Sequence, residues 1–135
     1  MTDYIFEMTF KVRDYELDAE GIVNNANYLH YLEMTRHEFC TNAGISFMQM
    51  RREGIDPVLS RVEIDYMTPL RGDDEVVSRL SLERKGARFI FIQDLYRADD
   101  MAQAAHAVVS CVSLENGRLS RGDKLASYFS EFLDN

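Results

Sequence analysis

Beyond Pro57 the chain is cut by turn residues into four runs of strand-like composition, and this punctuation constrains the fold more than any other feature. Val58 to Tyr66 sets Val62, Ile64 and Tyr66 against Arg61, Glu63 and Asp65. That alternation is the period of a half-buried strand. Thr68-Pro69 and Gly72-Asp73-Asp74 mark a connection, and Glu75 to Glu83 is the next run. Lys85-Gly86-Ala87 is a tight turn before Arg88 to Arg97, which is apolar on both faces around Phe89-Ile90-Phe91-Ile92. Asp99-Asp100 turns the chain again. Met101 to Leu114 follows, with Ala102, Ala104, Ala105, Ala107 and Ser110 among its valines, and Asn116-Gly117 closes it. Connections this short predict antiparallel pairing of successive strands.

Upstream, Ile5 to Val12 alternates Phe6, Met8, Phe10 and Val12 with Glu7, Thr9 and Lys11, a further strand. Asp18 to Asn27 is rich in Asp, Gly and Asn and reads as loop. Tyr28, Tyr31, Leu32, Thr35, Phe39 and Ala43 then recur at helical spacing. Asn27 can cap this helix, and Gly44 can stop it. A short helix is expected from Ser46 to Arg52, and a C-terminal one from Leu125 to Leu133. This order predicts an α+β fold, a curved five-stranded antiparallel sheet wrapped around one long central helix. With 135 residues the chain is read as a single domain, 1–135. At that length a core forms without a metal or disulfide staple.

A net charge of −8 argues against non-specific binding to nucleic acid or to an anionic membrane. No apolar run approaches the ~18–20 residues of a membrane span. Met1-Thr2-Asp3-Tyr4 lacks the basic start and apolar stretch of a signal peptide, so the expected location is cytoplasmic. Cys40 and Cys111 fall in different elements amid apolar residues and read as core positions. Basic residues concentrate at Arg79, Arg84, Lys85, Arg88 and Arg97, and again at Arg118, Arg121 and Lys124. Such clusters suit either a small polyanion, such as a nucleotide phosphate, or the protection of strand edges.

The chemistry concentrates just before the long helix. In Asp18-Ala19-Glu20-Gly21-Ile22-Val23-Asn24-Asn25 a carboxylate and a glycine turn precede the helix start. Asp in such a place is a turn former, or an acid set beside unpaired helix N–H groups. Those groups carry partial positive charge and can stabilise a carbonyl oxygen as it becomes an oxyanion. A carboxylate nearby could attack the carbonyl or deprotonate water. No serine-nucleophile motif, Gly-x-Gly-x-x-Gly or Walker loop competes. His30, Glu33 and His37 share helical spacing, but the His-Glu-x-x-His order is absent, and they read as a polar or subunit-contact stripe. His106 stands alone in an apolar run, a structural or interface residue.

Residues 12 to 36, and Asp18-x-x-Gly21-x-Val23 with Tyr28-Leu29 in particular, resemble the hotdog-fold acyl-CoA thioesterases of the 4-hydroxybenzoyl-CoA thioesterase family. Val62 to Asp73 is similar to that family's second strand and following turn. The resemblance implies the hotdog fold, with Asp18 as the catalytic carboxylate. It implies that the backbone N–H seven positions later, at Asn25, polarises the thioester carbonyl. Some relatives carry His at that position, where this chain has Asn. Glu16 occupies the place of the first acid in the Asp-x-Asp form of some relatives. The family binds coenzyme A at a subunit interface, with Lys85 and Arg88 as the candidates here for its phosphates. It assembles as dimers, often paired into tetramers.

The function expected is hydrolysis of an acyl-CoA, or an acyl carrier protein thioester, to a free acid and a thiol. Asp18 would be nucleophile or general base, and Asn25 N–H the oxyanion donor. Gly21 would shape the turn, and Tyr28 the acyl site. No cofactor is expected beyond the coenzyme A of the substrate, and no metal. The expected assembly is a homodimer or homotetramer. The alternatives are a non-catalytic acyl-CoA binding module and a hotdog dehydratase or hydratase.

Overall fold

The computed structural model describes residues 3–133. The part of the signal-peptide reading that concerns Met1 and Thr2 lies outside the described residues. Six strands form one antiparallel sheet: β1 (Phe6–Lys11), β2 (Ile55–Tyr66), β3 (Glu75–Lys85), β4 (Arg88–Arg97), β5 (Gln103–Glu115) and β6 (Arg118–Leu119). Their order is β1-β3-β4-β5-β2, with β6 paired to β5. The helices are α1 (Asn25–Asn42), α2 (Phe47–Arg52) and α3 (Asp123–Tyr128).

The expectation that short turns pair every successive strand fails once. β3, β4 and β5 form a meander, but β2 does not pair with β3. It lies beside β5, with Ile55 opposite Glu115 and Tyr66 opposite Ala105. The segment from Met67 to Asp74 is not a hairpin. Leu70 O accepts from Val23 N–H at 2.8 Å and Arg71 bridges Ile22, so the segment lies against the loop that leads into α1. β2 and β1 are therefore the two edges of the main sheet path. The sixth strand, absent from the five-strand reading, is a two-residue return after Asn116-Gly117, both at positive φ.

The helix boundaries follow capping chemistry. Asn24, rather than Asn27, caps α1: its side chain accepts from Ala26 N–H at 2.9 Å. Asn27 instead donates from Nδ2 to Glu16 O at 2.9 Å, which ties α1 back to a single 3-10 turn at Asp14–Glu16. At the other end Gly44 N–H donates to Thr41 O and Ile45 N–H to Cys40 O. This pair satisfies two orphan carbonyls around a glycine at φ 74°. The C-terminal helix is shorter than expected. α3 ends at Tyr128 and, after Phe129, a 3-10 turn covers Ser130–Phe132.

α1 packs on one face of the sheet through Tyr28, Tyr31, Leu32, Thr35, Phe39 and Cys40. Phe39 meets Phe6, Phe129 and Phe132, and Tyr31 meets Phe10. Thr35 Oγ1 and Ser78 Oγ, both fully buried, share a 2.7 Å hydrogen bond between helix and sheet. Gln93 Nε2 donates to Leu32 O at 3.0 Å and identifies the helix-facing side of β4. The next residue, Asp94, points to the opposite face.

Candidate active site

The loop ahead of α1 builds a small, rigid turn. Asp18 N–H donates to Ile22 O at 2.8 Å, and Gly21 N–H returns to Asp18 O at 3.1 Å. Gly21 sits at φ 77°, where a side chain would be strained. Asp18 Oδ1 accepts from Glu20 N–H at 2.8 Å and from Ile22 N–H at 3.4 Å. A bridge between Leu17 and Val23 closes the base of the turn. The carboxylate is thus oriented by backbone, exposed, and has its second oxygen unengaged among the described residues.

α1 begins seven residues after this acid. Asn25 N–H, at the first helical position, has no partner among the described residues, whereas Ala26 and Asn27 N–H both bond to Asn24. Tyr66, at the end of β2, donates from its hydroxyl to Asn25 O at 3.3 Å and links the helix start to the sheet edge. An oriented acid and an open helix N–H therefore lie on one short loop. The side chain of Asn25 takes no part in that N–H, so the absence of His there leaves the donor intact.

The other candidate residues are differently placed. Tyr28 is buried, its ring 5.0 Å from Tyr66 and 6.0 Å from Tyr31, and burial raises its phenol pKa with partial relief from the Leu70 backbone. Glu16 accepts from Arg13 N–H at 2.7 Å and from the Tyr31 hydroxyl at 2.9 Å, so this acid fastens the loop to α1. Lys85 and Arg88 flank the β3–β4 hairpin and are exposed. They lie at the far end of β3 from Glu75, near which Ile22 bridges Arg71. Ten residue steps of strand put them roughly 33 Å from that end. One chain does not bring them to Asp18. The surrounding basic residues are largely paired: Arg79 with Glu7, Arg84 with Asp123, Lys85 with Glu83, and Arg97 with Asp99 and Asp100.

Glu33 and His37 stand 3.8 Å apart on α1, and His37 packs on Phe47. Among the described residues no group of three or more His, Cys, Asp or Glu is placed to hold a metal. Cys40 and Cys111 are free thiols, and burial pushes the Cys40 thiol up to about 11.

Two hollows run along the flank of α1 that faces β2. One, of about 180 Å³, is lined by Leu29, Leu32, Val62 and Val109. The other, of about 160 Å³, is lined by Cys40, Phe47, Phe91, Cys111 and Phe129. They meet at Glu33, Arg36 and Leu59. Arg36 was not singled out as a site residue from sequence. Its signal was the spacing Asn25, Leu29, Glu33, Arg36, which places all four on one flank.

A second cluster of polar groups occupies the opposite face of the sheet. Asp94 accepts from the Tyr4 hydroxyl at 2.6 Å and from Gln103 Nε2 at 2.8 Å, and pairs with His106 Nδ1 at 2.6 Å. His106 is therefore not alone. Glu7, Arg79, Asp94, His106 and Asp65 are successive cross-strand neighbours, so a row of polar side chains crosses β1, β3, β4, β5 and β2.

Comparison with known proteins adds a family. The model of the thioesterase-like superfamily matches residues 12–133. The chain is 33% identical over 111 residues to the chloroplastic acyl-acyl carrier protein thioesterase ATL3 of Arabidopsis thaliana, with 82% of the chain aligned. It spans only 58% of that plant protein's length. It is 31% identical to the acyl-CoA thioesterase YbgC of Haemophilus influenzae, over 84% of this chain and 85% of that one. Among solved structures, the probable thioesterase YbaW of Escherichia coli superposes with a TM-score of 0.84 at 25% identity, covering 95% and 98% of the two chains. Among the described residues no helix is long and apolar enough to cross a membrane.

Proposed function

The chain belongs to the thioesterase-like superfamily, and on that premise we propose that it is a thioester hydrolase that cleaves an acyl-CoA or acyl carrier protein thioester to a free acid and a thiol. The observation that carries the reading is the loop itself: a carboxylate fixed by its own turn, seven residues before an open helix N–H. The thioester carbonyl oxygen accepts from Asn25 N–H, whose partial positive charge favours the tetrahedral oxyanion. Asp18 either takes a proton from the attacking water or attacks the carbonyl itself, giving an anhydride that water then opens. In both routes a carbon–oxygen bond forms, the carbon–sulfur bond breaks, and the thiolate leaves. A thioester suits this site, because its leaving group departs without the strong general acid an amide needs.

Within the superfamily we place the chain nearest the 4-hydroxybenzoyl-CoA thioesterases, as a single hotdog domain with α1 as its central helix. The acyl group lies along the α1 flank that starts at Leu29, and buried Tyr28 supports that wall from behind. The separation of Lys85 and Arg88 from Asp18 favours a site shared between copies, in which the basic pair of one chain meets coenzyme A held at Asp18 of another. A homodimer or homotetramer in the cytoplasm fits this arrangement. The His–Asp pair lies on the sheet face opposite α1, so the sheet separates it from the helix start, and it gives the hydratase reading no support. Free-thiol release over a panel of aliphatic and aromatic acyl-CoA esters tests the proposal. Turnover that needs Asp18 is expected. Tight acyl-CoA binding without thiol release would make the chain a binding module instead.

A further inference from the structure

The two hollows on the flank of α1 facing β2 have mainly apolar walls, with His30, Glu33, Arg36 and His37 as their polar lining. Leu29, Leu59, Val62, Phe47, Phe91 and Val109 supply the walls of the two joined hollows. At their junction stands the half-buried guanidinium of Arg36. It has five N–H donors, and one of them, on Nη1, bonds to Gln93 Oε1 at 3.0 Å. Gln93 is itself fully buried and held by its donation to Leu32 O, so it fixes the direction of the guanidinium. Among the described residues Arg36 has no carboxylate within ion-pair distance; Glu33 lines the same junction and stands 3.8 Å from His37. Burial lowers the Arg36 pKa, and Cys111, Glu33 and Cys40 oppose that shift without cancelling it. A half-buried cation whose hydrogen-bond partner is an amide keeps donors free for an anion.

Resting on the reading of Asn25 as the thioester end, we propose that Arg36 selects acyl groups that end in a carboxylate, so that the preferred substrates are ω-carboxyacyl thioesters. Asn25 and Arg36 lie on the same helix flank, eleven residues apart, which is about 16 Å of rise. The arginine side chain leans back towards the helix N-terminus and shortens this span. An extended chain advances ~1.2 Å per bond, so about ten bonds bridge the two ends. The alkyl portion would run past Leu29, Val62 and Leu59. The terminal carboxylate would take the N–H groups that Gln93 leaves open, in the paired geometry guanidinium favours.

The test compares decanoyl-CoA with its ω-carboxy counterpart, sebacoyl-CoA, by free-thiol release. The wild-type protein should favour the carboxylated ester by roughly ten- to hundredfold in kcat/KM, the range of one charged hydrogen-bond set. Arg36→Gln should collapse that ratio, chiefly through KM, and Arg36→Lys should restore part of it. Equal hydrolysis of the two esters by the wild type overturns the inference. So does an equal loss on both esters in Arg36→Gln, the result expected if Arg36 faces a carboxylate of a second copy. Calorimetric binding of sebacate against 1-decanol, which has no carboxylate, needs no turnover. A preference for sebacate that Arg36→Lys keeps and Arg36→Gln loses sustains the inference even where no thiol is released. Equal binding of the acid and the alcohol overturns it independently of the thioesterase reading.

Discussion

Asp18 stands exposed on a turn and accepts only from backbone N–H groups of its near neighbours. Asp94 is 4% exposed and is held by Tyr4, Gln103 and His106. Both carboxylates are well oriented, but by different means. Backbone donors orient Asp18 from one side and leave an oxygen open to a substrate or water. Side chains surround Asp94 from both flanks and use both of its oxygens. A His–Asp pair is a familiar catalytic arrangement, and here it belongs to a polar row that joins strands. What separates the two acids is the direction in which unused bonding capacity points.

The sharpest way to break this contrast is to neutralise Asp18. Asp18→Asn retains an oxygen for Glu20 N–H, so the unfolding midpoint should stay near wild type. Turnover should fall by about 10²–10⁴, the usual loss for a missing base or nucleophile. Undiminished kcat in the folded variant would make Asp18 a turn former and nothing more. Asp94→Ala should do the reverse. Loss of the shared acceptor leaves Tyr4, Gln103 and His106 without their partner and should cost about 3 kcal/mol in denaturant unfolding. The activity per folded molecule should persist.

Glu16 tests the boundary between the two kinds of acid, because it is only two residues from Asp18. Its Oε1 accepts from both Arg13 N–H and the Tyr31 hydroxyl, which ties it to α1. Glu16→Ala should therefore cost about 1 kcal/mol of stability, with a far smaller loss of kcat than Asp18→Asn. A loss as large as that of Asp18 would show that the loop has two working acids. The smallest effect concerns the buried thiol. Cys40 is pushed from 9.0 to about 11 by burial, with Cys111 adding to the shift and Arg36 opposing it. The unfolded chain ionises first, so this group's contribution to stability is complete below pH 9 and is lost as pH rises towards about 11. At pH 8 iodoacetamide should label Cys40 more slowly in the native protein than in the denatured one.

The loop was readable from sequence because its grammar is local. Asp18, Gly21 and the asparagines act within a few residues, through turn and cap geometry that each residue type favours. The shift of the cap from Asn27 to Asn24 changes which asparagine bonds to the helix, without moving the acid from the helix start. The strand runs were readable for the same reason. Their order was not, because alternation reports a face and says nothing about which neighbour completes the ladder. β2 could be assigned beside β3 by turn length, yet the sheet puts it beside β5. The Asp94 cluster was illegible, since Tyr4 and Asp94 are far apart in sequence and met only through strand register. Arg36 lay in plain view among the charges of α1, but its isolation depends on Gln93, which belongs to a strand formed much later in the chain.

The strand order also dictates a timetable. The β3–β4–β5 meander closes through short turns and can form early, whereas β1 must wait for β3, with Phe6 meeting Leu80. β2 likewise waits for β5, with Ile55 meeting Glu115. Pairings across such long stretches close slowly, because the loop entropy is lost before the contacts form. During synthesis β1 and α1 leave the ribosome well before the sheet that buries them exists. The apolar side of α1, with Tyr28, Tyr31, Leu32 and Phe39, is then open to solvent and to other chains. The polar residues outside that side, His30, Glu33, His37 and Glu38, keep the helix hydrated in that interval.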